Sequence, residues 1–289
     1  MLNEAFARVM AEFPSARTEP FGNHPLAQFI TRELPAVVRR EVPIPTDVLV
    51  EGSAGKGNWV EGPWLAVFDP LVTESAQDGY YPVYLFSRTL DAVYLSLNQG
   101  VTNLKNEVGV TAARRMLETR AAILCARLAG EFSERFNADA IDLQPRKSGS
   151  LLELYERGHA FRARYPREAL PTDADLAADL TTMVRLYQLA TVRGGVDEIG
   201  NVADDSSTEN DGADLTFEER RRYSYHRRIE RNARLAREAK RIHGYRCQVC
   251  DFDFEARYGA IGQKYIEAHH KVPLSRLDES APVHRSPAG

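Results

Sequence analysis

The stretch that decides the fold is "GNWVEGPWLAVFDPLVTESAQDGYYPVYLFSRTLDAVYLSLNQG", residues 57–100. Three short runs inside it, "PWLAVFD", "YYPVYLFS" and "AVYLSL", are rich in Val, Tyr, Phe and Leu. Gly, Asp and Pro separate them. Runs of this length and composition, bounded by turn formers, read as β-strands of one sheet. A fourth, "DVLVEG" at 47–52, precedes them. On either side the periodicity changes from two to three or four. Leu2, Phe6, Val9 and Phe13 recur at helical spacing, and a second helix follows around Leu26, Phe29, Ile30 and Leu34. From Lys105 onward helices return, with Leu117, Ala121, Leu124 and Leu128 on one face. Two more are expected near 151–164 and 173–191. The fold class is therefore α+β: an N-terminal mixed sheet with flanking helices, over residues 1–195.

The chain has 289 residues, of which 43% are apolar, enough for about two domains. It has no run of 18 apolar residues, so no membrane span is expected. Its first residues, "MLNEAFARVMAEFPSAR", read as an amphipathic helix and not as a signal peptide. Three cysteines, an odd count, argue against a disulfide framework and for a reducing, cytoplasmic setting. Cys125, among Ala and Leu in a helix, reads as a small buried apolar residue. The net charge of −4 names no partner, but its distribution along the chain is uneven. Residues 196–216 carry acidic, Gly and Ser residues and no Lys or Arg, and read as a disordered linker. The stretch after it is strongly basic. Arg227, Arg231 and Arg234 are spaced to share one helix face that meets DNA phosphates; the alternative is a solvated face.

"GSAGKGNW" at 52–59 is not a P-loop. The spacing differs, and no Ser or Thr follows Lys56. It reads as a Gly-rich loop beside the first strand. Near the other end, Cys247 and Cys250 stand at C-x-x-C spacing. Two thiolates at that spacing can grip a tetrahedral zinc ion, or serve as a redox dithiol.

Two resemblances sharpen these readings. Gly57–Asn58, Pro63–Trp64, and Tyr81–Pro82–Val83 with Leu85 resemble the McrB-like N-terminal domain, over residues 1 to about 192. That family reads modified cytosine, such as 5-methylcytosine, by flipping it out of the duplex. The resemblance implies a base pocket at Trp64, Tyr81 and Leu85, whose flat faces suit an extruded base. Read without the family, the same three residues fit the ordinary core of a sheet. The family carries an aromatic residue just before the Gly–Asn pair. Lys56 stands there in this chain, suited to a phosphate or a groove and not to stacking.

The second resemblance rests on Cys247, Cys250, the turn at Tyr258–Gly262, "IEAHH" at 266–270 and "PLS" at 273–275. These residues resemble the HNH endonucleases, a ββα-metal fold. Residues 217–289 would then be a basic helix plus a partial HNH module. The resemblance implies that His270 is the general base and His269 a ligand of a divalent Mg or Mn ion. It also implies structural zinc at Cys247 and Cys250. The family pattern continues with an Asn, a second C-x-x-C and a His that do not follow here. The module is thus expected to be C-terminally truncated and little active. Together the parts describe a modification-dependent restriction endonuclease whose partner is double-stranded DNA with modified cytosine. A homodimer is left open. So are a binding protein without catalysis and a nuclease with another specificity.

Overall fold

In a computed structural model, residues 1–131, 135–196, 240, 242–247, 250–259 and 266 are described. The chain divides into two units, 1–210 and 211–289. The first is built on a five-stranded sheet in sequence order, β1 (Leu49–Gly55), β2 (Trp59–Phe68), β3 (Tyr80–Phe86), β4 (Ala92–Gln99) and β5 (Phe161–Pro166). Every pairing is antiparallel. The expected mixed sheet is therefore corrected to an antiparallel meander. The connections from β1 to β4 are too short for parallel crossovers, which need a dozen or more residues.

Side chains alternate between the two faces. One face carries Leu65, Tyr84, Phe86 and Tyr165 and is packed by α1 (Leu2–Ala16) and α6 (Asp173–Val192). Phe6 of α1 stands edge-on to Tyr84 at 4.7 Å and to Phe86 at 5.5 Å. Tyr187 of α6 stands edge-on to Tyr80 at 5.5 Å, and its hydroxyl accepts from the Asp69 amide. Asp179 of α6, itself buried, accepts from the Tyr165 hydroxyl and from Arg135, tying α6 to β5. Helices α2 (Pro25–Gln28) and α3 (Leu34–Glu41), joined by a π-helical turn at Phe29–Glu33, lie beside β1. Trp59 fastens the start of β2 to this layer. Its indole donates to the Glu19 carbonyl at 2.9 Å, and it meets Phe13, Phe21 and His24 edge-on.

The opposite face is packed by α5 (Leu151–Gly158), backed by α4 (Thr102–Arg127). Ser150 caps α5 by accepting from the Glu153 amide. Glu153 receives Arg114 of α4 at 3.0 Å and Arg157 at 3.2 Å. Burial alone would raise its pKa, but those guanidinium groups outweigh it and hold the carboxyl below its ordinary value. Leu117, Ala121, Leu124 and Leu128 are buried, as their spacing predicts. Cys125 is only half-buried, and its thiol donates to the Ala160 carbonyl.

The helix expected over 151–164 stops at Gly158, and Phe161–Pro166 forms β5 instead. Phe161, Ala163 and Tyr165 are buried, while Arg162 and Arg164 point the other way. That period-two pattern is a strand signal that the helical reading of the preceding residues overran. In the second unit, Arg246 and Asp253 pair as an antiparallel bridge, followed by a short helix at Phe254–Tyr258.

Candidate functional site

Trp64, Tyr81 and Leu85 lie on one face of the sheet, the face that α5 packs. Trp64 on β2 is the direct cross-strand partner of Leu85 on β3, with Ser53 on its other side. Tyr81 is four residues from Leu85 and so points the same way. Exposure separates the three. Tyr81 is 1% exposed and Leu85 2%, whereas Trp64 is half-buried. Trp64 is thus the accessible member, with Leu85 as the floor beside it.

Tyr81 is held firmly. Its hydroxyl donates to the Ala76 carbonyl at 2.8 Å and its ring meets Phe68 edge-on at 4.9 Å. It is also in hydrogen-bonding contact with the Tyr155 hydroxyl of α5. Burial above all, and then Tyr155, pushes the Tyr81 phenol well above its ordinary value, so it remains protonated. Next along the same face on β4 come Tyr94, Ser96 and Asn98. Asn98 donates to the Tyr155 carbonyl at 3.0 Å and accepts from the Gln99 amide. From the sequence Tyr94 reads as a packing or surface residue, and Ser96 and Asn98 are not singled out. The polar Ser96 and Asn98 at period two within an apolar strand were the available signal.

Lys56 lies outside the paired strand positions of this group. It is exposed at the tip of the β1–β2 hairpin. Gly55 (φ +127°) and Gly57 (φ +81°) supply the left-handed backbone of that turn. The Gly55–Trp59 pair follows the Ser53–Trp64 pair across a bulge in β2, so Lys56 stands three residues beyond Ser53, the β1 partner of Trp64. Arg227, Arg231, Arg234, His269 and His270 lie outside the described residues, as does nearly all of the 196–216 stretch.

Cys247 and Cys250 stand three residues apart in the second unit. The Cys247 amide donates to the Phe252 carbonyl, and the Asp251 amide donates back to the Cys247 carbonyl at 2.8 Å. Asp251 takes a left-handed φ of 58°, which a short polar side chain tolerates. Both cysteines are thiols. They supply two of the four donors a structural zinc needs. Among the described residues no group of three or more His, Cys, Asp and Glu could hold a metal ion. The described residues therefore supply two of the four ligands that the implied zinc site needs.

His159 sits where α5 meets β5, half-buried, with Nδ1 unpartnered. Burial first, and the charge of Arg162 second, lower its pKa from 6.5 to about 4; Asp139 acts in the opposite direction. The unfolded chain therefore takes up this proton below about pH 6.5 and the folded chain only near pH 4. His159 makes the protein lose stability as pH falls through that window, by about 2 kcal/mol with partial solvent access allowed for. Urea titrations at pH 7 and pH 4.5 should show a smaller loss for His159→Asn than for wild type. Equal losses would show that His159 does not titrate in this way.

The antiparallel meander, packed between helical layers and carrying the half-buried Trp64 on one face, defines an α+β domain. Residues 8–191 match the family described as MrcB-like, N-terminal domain, and the chain belongs to that family. No curated protein matches the chain. Among the described residues no helix is long and apolar enough to cross a membrane.

Proposed function

We propose that this protein recognises modified cytosine, such as 5-methylcytosine, in double-stranded DNA by taking the base out of the helix. The observation that carries this reading is the placement of Trp64 beside Leu85, with Tyr81 on the same face, inside the family-matched region. An extruded pyrimidine leaves its stacked neighbours, and a half-buried indole offers a replacement flat face. The protonated Tyr81 phenol and Leu85 form a rigid floor that does not need to reorganise on binding. Lys56, exposed on the hairpin turn, would meet a phosphate and not stack on the extruded base. Arg227, Arg231 and Arg234 would add sequence-neutral phosphate contacts.

The C-terminal residues support a second part of the same reading, a restriction-type endonuclease of the HNH kind. Cys247 and Cys250 would hold a structural zinc ion, and His269 a magnesium or manganese ion. Such a divalent ion stabilises charge developing on the scissile phosphate. His270 would take a proton from the attacking water, a task suited to an imidazole that titrates near neutrality. Mobility shifts with matched duplexes test the recognition part. Binding should favour the duplex carrying 5-methylcytosine over the unmodified one, and equal retardation would sink it. Plasmid nicking in Mg²⁺ or Mn²⁺ tests the catalytic part. Nicking of methylated plasmid that disappears in His270→Ala supports it; no nicking leaves a binding protein.

A further inference from the structure

The segment between α4 and α5 runs from β5 past the end of β3 to β2. Asn137 forms a bridge with Arg162 of β5, and the Leu143 carbonyl accepts from the Arg88 amide just after β3. The Arg146 amide then donates to the Glu61 carboxylate of β2 at 3.4 Å. That contact brings the segment beside Trp64, because Glu61 stands three residues before it, no more than ~11 Å along the chain.

The residues that follow are pinned. The Lys105 ammonium donates to the Gly149 carbonyl at 2.8 Å, and Arg114 donates to the Ser148 hydroxyl at 2.5 Å. Gly149 takes a left-handed φ of +75°, and a Cβ there would meet the Val110 side chain at 3.3 Å. Leu152, in the first turn of α5, closes over Gly62, where a Cβ would stand 3.5 Å from its Cδ1. Braced in this way, the loop leaves Arg146 and Lys147 exposed. Among the described residues neither side chain has a hydrogen bond or an ion pair. Other cations nearby are directed inward, Arg114 and Arg157 onto Glu153 and Arg162 onto Asp139. Glu61 receives the Arg146 backbone and not its guanidinium.

A loop with a fixed backbone and two outward cations suits fixed anions, since binding has little left to order. Position sets which anions these are. A base turned out about its backbone stays joined to its own phosphates, so they arrive at the Trp64 site with it. We propose that Arg146 and Lys147 hold the DNA phosphates that flank the extruded base; this rests on the base-extrusion reading above. Arg146 can grip a phosphate through two parallel N–H bonds, and Lys147 acts as a point charge.

The test uses the full chain and duplexes of one sequence, with 5-methylcytosine or cytosine at one position. The phosphates on both sides of that position are either native or replaced by uncharged methylphosphonates. Fluorescence anisotropy across a salt series gives each affinity. Wild type should bind the methylated duplex severalfold less tightly once its flanking phosphates are neutral. Arg146→Gln/Lys147→Gln should bind the native methylated duplex severalfold less tightly, and should lose little more on the neutralised one, because both changes remove the same contacts. Its log Kd should depend less steeply on log salt by about two, ~0.9 for each phosphate contact. Arg185→Gln, exposed on α6 at the other face of the sheet, should change neither quantity. The double variant should melt like wild type, because both side chains are exposed and the Arg146 amide is kept. Additive losses, an unchanged salt slope or a much lower melting point overturns the proposal. If wild type still prefers the methylated duplex in that case, the base-extrusion reading stands without it. Equal binding of methylated and plain duplexes by wild type overturns that reading and the proposal together.

Discussion

Phe6→Ala should destabilise the first unit by ~3–5 kcal/mol, the range for deleting a buried aromatic ring. Phe6 is fully buried, and it alone bridges α1 to both Tyr84 and Phe86 through edge-on ring contacts. Its loss would open a cavity between helix and sheet and remove two aromatic pairs at once. The rigid layers on either side, β3 and α6, cannot collapse far into it. Phe6→Leu keeps most of the volume and should cost clearly less, below ~1.5 kcal/mol. Urea unfolding followed by circular dichroism measures both. A loss under ~1 kcal/mol for Phe6→Ala would mean that α1 is not part of the core.

The second large effect concerns recognition. Trp64→Ala should remove most of the preference for modified over plain duplex, ~1–3 kcal/mol for one lost stacking face. That is roughly a fivefold to 140-fold change in the ratio of dissociation constants. Because Trp64 is half-buried and stands at the margin of the core, its removal should disturb the fold far less than loss of Tyr81 or Leu85. Trp64→Phe keeps a flat apolar face and should retain much of the preference. Fluorescence anisotropy at fixed salt gives the ratio for each variant. An unchanged ratio in Trp64→Ala would show that the indole is an ordinary core side chain.

The strands of residues 49–99 are legible because their apolar runs are short, β-branched or aromatic, and bounded by Gly, Asp and Pro. Helix α1 is legible because Leu2, Phe6, Val9 and Phe13 keep one face. The position of β5 was not. Between β4 and β5 the chain runs through 100–160, a connection long enough for either strand direction, and the sequence carries nothing that chooses. The helical start of "LLELYERG" then carried the expected helix past Gly158, over the alternation of Phe161, Ala163 and Tyr165. The candidate site was half legible. Trp64, Tyr81 and Leu85 could be named from their resemblance to a family, but their shared face follows from register, which pairs Trp64 with Leu85.

The central claim is that a modified cytosine leaves the duplex and is received on the Trp64 face. It is tested most directly with 2-aminopurine placed next to a single 5-methylcytosine, since this base brightens when its stacked neighbour departs. Adding the protein should raise the fluorescence of the methylated duplex severalfold, with little change for the unmodified duplex and a much smaller rise for Trp64→Ala. Tight, methylation-dependent binding with no rise in fluorescence would show that the base is read inside the helix and contradict the account.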